Sequence, residues 1–85
     1  MIQTIKLENS TDKDMQICVE PVVDYIDWCK GKFLEIKIKP VNEHYNEQLD
    51  IVLTEHVLVV YEHIHYAIKI FIDKELKYES PEYER

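Results

Sequence analysis

The run VLVVYEHIHYAIKIFIDKELKY, residues 57–78, holds the densest concentration of β-branched and aromatic side chains in the chain, and its reading decides the fold class. Val, Ile, Tyr and Phe lose rotamer freedom in a helix but pack well on a pleated surface, so 57–61 and 66–72 read as two strands. Successive side chains on a strand alternate between faces. Along the second strand Tyr66, Ile68, Ile70 and Ile72 therefore share one face, and Ala67, Lys69, Phe71 and Asp73 the other. Along the first, Val57, Val59 and Tyr61 lie opposite Leu58 and Val60, so neither face is polar. A strand apolar on both faces belongs inside a sheet with cover on both sides, and both stretches are expected to be central strands with a second layer packed against them.

The same alternation extends in both directions. Residues 2–8 place Ile5 and Leu7 inward, and the polar loop 9–14 ends that strand. In 15–20, Met15, Ile17 and Val19 oppose Gln16, Cys18 and Glu20, which puts Cys18 outward, and Pro21 stops the ladder because it has no N–H to donate. Residues 22–28 are ambiguous: Val23 and Tyr25 compete with Val22, Ile26 and Trp28 while Asp24 and Asp27 interrupt both faces, so the segment reads as a short edge strand. The turn 29–32 holds Gly31, the one glycine of the chain, and 33–39 alternates strictly with Leu34, Ile36 and Ile38 inward before Pro40. The polar segment 41–48 is expected to cross between sheets. Strands at 49–53 and 57–61 are joined by 54–56, and 73–75 turns the chain into a last strand at 76–79. No helical period persists over three turns and no repeat is visible. The expected architecture is all-β, a small single-domain antiparallel β-sandwich of about seven or eight short strands spanning 1–79, followed by a flexible acidic C-terminal tail at 80–85. Leu34, Ile36, Ile38, Leu58, Val60, Ile68, Ile70 and Ile72 are its expected core.

At 85 residues the chain has the size of one domain that buries about 60% of its unfolded surface, enough to fold without metal or disulfide. Its 17 acidic and 10 basic residues give a formal charge of -7, which opposes direct attraction to nucleic-acid phosphates or anionic lipid. No apolar run has the length of a membrane span, and the first residues lack a basic start and apolar stretch, so a cytoplasmic location is expected. In that compartment Cys18 and Cys29, in no metal-binding spacing, are thiols, and the Asn9-Ser10-Thr11 glycosylation sequence is silent.

The opening strand, the loop Asn9-Ser10-Thr11-Asp12-Lys13, the strand ending Glu20-Pro21, the Gly31 turn, the Leu34-Ile36-Ile38 strand and the closing strand over 68–73 together resemble the pattern of small uncharacterised bacterial β-sandwich proteins. The resemblance spans most of the chain and implies that fold, with no activity to carry over. The chain departs from the pattern at 62–65, where Glu62-His63-Ile64-His65 stands in place of a glycine-containing turn.

Two sets of residues carry candidate chemistry. His63 and His65 fall on one face if the strand continues, and two imidazoles so placed can bind a transition metal, with Glu62, His56 or His44 to complete the site; solvated loop histidines are the commoner outcome of such a spacing. Cys18 would need an electropositive neighbour to act as a nucleophile, and the sequence shows none. One glycine excludes the usual phosphate-cradling loops, and pairs such as Asp24 with Asp27 have nothing nearby to separate their pKa values. The aromatic side chains are too many for so small a core, which makes Trp28, Tyr25, Tyr45 and Tyr61 candidate anchors of a protein interface. The expected function is protein–protein interaction without catalysis or cofactor. An acidic immunity or inhibitor protein against a basic partner is its sharper form, and a transition-metal-binding protein or metal-dependent enzyme using His63 and His65 is the alternative. The irregular edge strand at 22–28 is a further candidate for pairing with a second copy, with Asp24 and Asp27 as its guards.

Overall fold

Alternating side chains and turn residues at short spacing produce, in the computed structural model, eight strands among the described residues 2–41, 49–62 and 65–84. They are β1 (Gln3–Glu8), β2 (Met15–Glu20), β3 (Asp24–Trp28), β4 (Phe33–Pro40), β5 (Asp50–Leu53), β6 (Val57–Tyr61), β7 (Tyr66–Ile72) and β8 (Glu75–Glu79). The described residues contain no helix. Sheet A has the order β1-β4-β7-β8 and sheet B the order β3-β2-β6-β5. The two stretches expected at the centre, β6 and β7, are indeed inner strands, each of a different sheet. The connection from β4 to β5 likewise changes sheet, as expected of 41–48; its residues 42–48 lie outside the described ones.

The pairing is not wholly antiparallel. Sheet A is, but in sheet B the hairpins β2–β3 and β5–β6 meet along β2 and β6, which run parallel from Gln16↔Val57 to Glu20↔Tyr61. The single excursion to sheet A between the two hairpins, through β4, brings β6 up in the same direction as β2, as a crossover connection must for parallel neighbours.

Register fixes the core. Ile5, Ile36, Ile70 and Tyr78 form one row across sheet A, and Ile26, Ile17, Leu58 and Leu53 one row across sheet B. All eight expected core residues are buried, joined by Met15, Ile17, Val19, Ile26 and Trp28. Fully burying each such side chain contributes about 1.5–3 kcal/mol. Tyr78, half-buried against this core, donates its hydroxyl to the Glu62 carboxylate at 2.5 Å and so ties β8 to the end of β6 across the two sheets.

Turn chemistry is local. Gly31 takes φ 81°, which a side chain resists. Asp73 and Lys74 take φ 48° and 69°, the two positive values of a type I′ hairpin turn, between the paired Ile72 and Glu75. Asp73 also accepts a hydrogen bond from the Phe33 N–H at 2.8 Å and pairs with Lys32 at 3.2 Å. Asn9 is the hub of the opposite loops. Its amide nitrogen donates to the Trp28 carbonyl at 2.9 Å and to the Lys13 carbonyl at 3.0 Å, and its oxygen accepts from the Thr11 N–H and hydroxyl. With that nitrogen occupied and the residue 2% exposed, the fold withholds it from glycosylation.

Three expectations are corrected. Leu7 points to the core face opposite Leu34, but at the end of an edge strand it stays 40% exposed. Cys18 lies on the outer face of sheet B, as the alternation requires, yet is 3% exposed, because the side chains of β3 and β6 on either side close over it. The segment expected to be a free tail is docked from Ser80 to Glu84. The Ser80 N–H donates to the Ile68 carbonyl at 2.9 Å, the Ser80 hydroxyl accepts the Ile68 N–H at 2.9 Å, and the Tyr83 ring lies beneath the ammonium groups of Lys39 and Lys69. This cover explains why Ala67, on the mixed face of β7, is completely buried.

Candidate functional site

The four expected interface aromatics separate in the fold. Trp28 pairs with Met15 on the core side of sheet B, is 4% exposed, and donates its indole N–H to the Lys32 carbonyl at 3.0 Å, so it is a core residue and no interface anchor. Tyr45 lies outside the described residues, as does His63. Tyr25 and Tyr61 both reach the outer face of sheet B and are 55% and 45% exposed.

That face is legible row by row from the register. Its central row is Tyr25, Cys18, Val59 and Val52, crossing β3, β2, β6 and β5 in turn. On one side Glu20, Tyr61 and Asp50 form the next row, and on the other Asp27, Gln16 and Val57. Gln16 donates to the Asp27 carboxylate at 3.4 Å, leaving that carboxylate on the rim. The result is an apolar band with an acidic border. The four strands of sheet B contain four carboxylates, Glu20, Asp24, Asp27 and Asp50, and no Lys or Arg. Those of sheet A contain five lysines, Lys6, Lys37, Lys39, Lys69 and Lys77, against four glutamates. The excess negative charge of the strands therefore lies on one side of the sandwich.

At the centre of the band, Cys18 directs its thiol to the Glu20 carboxylate at 3.6 Å and meets the Tyr25 hydroxyl. Burial pushes the thiol above its ordinary value, and the Glu20 and Asp24 charges push it the same way, while the bond from Tyr25 acts against them. Tyr25 is raised in turn, chiefly by its bond to Cys18. A thiol protonated at neutral pH among neutral and acidic groups lacks the thiolate that nucleophilic catalysis needs. Tyr78 is raised as well, by burial first and then by Glu62, so the tie between the sheets stays protonated over the physiological range.

His65 is half-buried at the start of β7, where its carbonyl accepts the Val41 N–H at 2.8 Å. His56 sits exposed in the β5–β6 turn, 3.8 Å from Glu55. Among the described residues no group of three or more His, Cys, Asp or Glu side chains is placed to hold a metal ion. An open groove of about 440 Å³ lies at the other end of sheet A, lined by Lys6, Phe33, Leu34, Glu35, Asp73 and Lys74. Of its charged groups, Lys6 pairs with Glu35 and Asp73 with Lys32.

No family model, curated protein or solved structure matches this chain. Residues that sequence reasoning did not select, Val52, Val59 and Cys18, complete the band. Their signal was present in β6, where apolar residues occupy both faces, and it required the strand order to be read.

Proposed function

We propose that this chain is a protein-interaction module without catalysis, and that the outer face of sheet B receives a basic partner. The observation that carries this reading is the convergence of Tyr25 and Tyr61 on one apolar band bordered by Glu20, Asp27 and Asp50, in a sheet whose strands hold no Lys or Arg. Tyrosine gives large contact area at small entropic cost, and carboxylates at the rim attract and orient a positive surface before contact. In its sharper form the partner is a nuclease, whose phosphate-binding surface is basic, and the chain is its immunity or inhibitor protein.

The test uses wild-type protein, Tyr25→Ala and Tyr61→Ala as baits at low salt, followed by kinetics on whatever the wild type retains. At least one tyrosine variant is expected to lose about 2 kcal/mol, or about thirtyfold in affinity, while remaining folded. Association should slow several-fold between low and physiological salt, where the Debye length contracts to about 8 Å. A retained partner whose binding ignores both tyrosines and the salt concentration would overturn the assignment of this face.

A further inference from the structure

A two-sheet sandwich leaves four edge strands, here β1, β8, β3 and β5. Three of them carry charges along their length, Lys6 and Glu8 in β1, Asp24 and Asp27 in β3, and Glu75, Lys77 and Glu79 in β8. Charged edges resist pairing with another chain. The fourth differs. After Asp50, β5 runs Ile51-Val52-Leu53 without interruption, and Val52 and Leu53 are 46% and 68% exposed.

The hydrogen-bond phase shows what this edge offers. Thr54 donates its N–H to the Val57 carbonyl at 2.8 Å, and this pair continues the antiparallel register Leu53↔Leu58, Val52↔Val59, Ile51↔Val60. Closely bonded and widely spaced pairs alternate in an antiparallel ladder, so Val52 directs its backbone groups toward β6 while Ile51 and Leu53 direct theirs away from it. A partner strand must then be uncharged and apolar on both faces, and its free backbone groups must fall at two positions separated by one residue.

We infer that this partner is a second copy of the same chain, paired β5 to β5 about a twofold axis at Val52. In that register Val52 meets Val52 of the second copy, and Ile51 exchanges backbone bonds with Leu53 of the second copy on each side of the axis, four bonds in all by the ladder rule. Asp50 falls opposite Thr54, so no carboxylate faces another. Leu53, the most exposed large apolar residue among the described residues, gains Ile51 as a neighbour on the core side. The two B sheets become one of eight strands, and the row from Tyr25 to Val52 continues into its own image. This pairing does not depend on the identity of any basic partner.

Sedimentation equilibrium of the full chain from micromolar to millimolar concentration is the test. Wild-type protein is expected to move from 10.3 kDa toward twice that mass. Leu53→Pro removes an N–H that the ladder phase directs away from β6, and Val52→Lys sets two ammonium groups together on the axis. Each is expected to raise the dimer dissociation constant at least tenfold without changing the circular dichroism spectrum, and Val52→Lys decides the matter if the proline variant unfolds. Tyr25→Ala should leave the dimer as it is, which separates this inference from the partner-binding reading. A mass fixed at 10.3 kDa throughout, or a dimer indifferent to the β5 variants, would overturn it.

Discussion

Replacing Asn9 by Ala removes a side chain that bridges two loops from a position only 2% exposed. The amide donates at 2.9 Å and 3.0 Å to the Trp28 and Lys13 carbonyls, and its oxygen accepts two bonds from Thr11. Each lost bond is worth about 1 kcal/mol net, and the Lys13 and Trp28 carbonyls and the Thr11 N–H all lose a partner. The expected loss is about 2–4 kcal/mol, a large share of the roughly 4–13 kcal/mol that 85 residues supply at typical stability. Asn9→Asp keeps the shape and the Thr11 contacts but sets a carboxylate against two carbonyl oxygens. The folded state would then hold its proton more tightly than the unfolded one. The penalty is therefore small in acid and grows as pH rises from the unfolded carboxyl value of about 3.9 through the raised folded value. Urea unfolding followed by Trp28 fluorescence at pH 4 and pH 7 measures both variants. A loss below about 0.5 kcal/mol for Asn9→Ala would refute the claim that this side chain joins the loops.

Asp73 is held below the ordinary carboxylate value by the Phe33 N–H first and by Lys32 second, so its contribution is full above pH 3.8 and is lost as acid takes the pH down through the lower folded value. Asp73→Asn, which tolerates the positive φ, should therefore flatten the acid limb of a stability-versus-pH curve, and an unchanged limb would count against the assignment. Ser80→Ala removes the acceptor of the buried Ile68 N–H and should cost about 1–3 kcal/mol in chemical denaturation, whereas a free tail would make the substitution silent.

Much of the sandwich was readable because β4 and β7 alternate strictly, so Leu34, Ile36, Ile38, Ile68, Ile70 and Ile72 identify their own face. Trp28 was misplaced because the aspartates at 24 and 27 break both periodicities of β3. Only pairing with Met15 and Ile17 on β2 reveals that Ile26 and Trp28 share the core face. The docking of Ser80 and Tyr83 leaves no periodic trace, since it depends on Lys39 and Lys69 standing side by side on a distant surface. The candidate face was half visible: Tyr25 and Tyr61 could be chosen by type, but their convergence requires the parallel union of β2 with β6, a long-range pairing that no local pattern encodes.

That parallel union also imposes a schedule on the chain. The hairpins β2–β3, β5–β6 and β7–β8 can close within microseconds, being local. Each β2 residue, by contrast, waits for a partner 41 positions later, from Gln16 with Val57 to Glu20 with Tyr61. Such separations place folding in the slow, millisecond-to-second class of β proteins. On a ribosome adding about 5–20 residues per second, β2 stands with its inner edge open for roughly 2–8 seconds before β6 has been made. During synthesis the segment containing Cys18 and Val19 is thus the one that most needs shielding from other nascent chains.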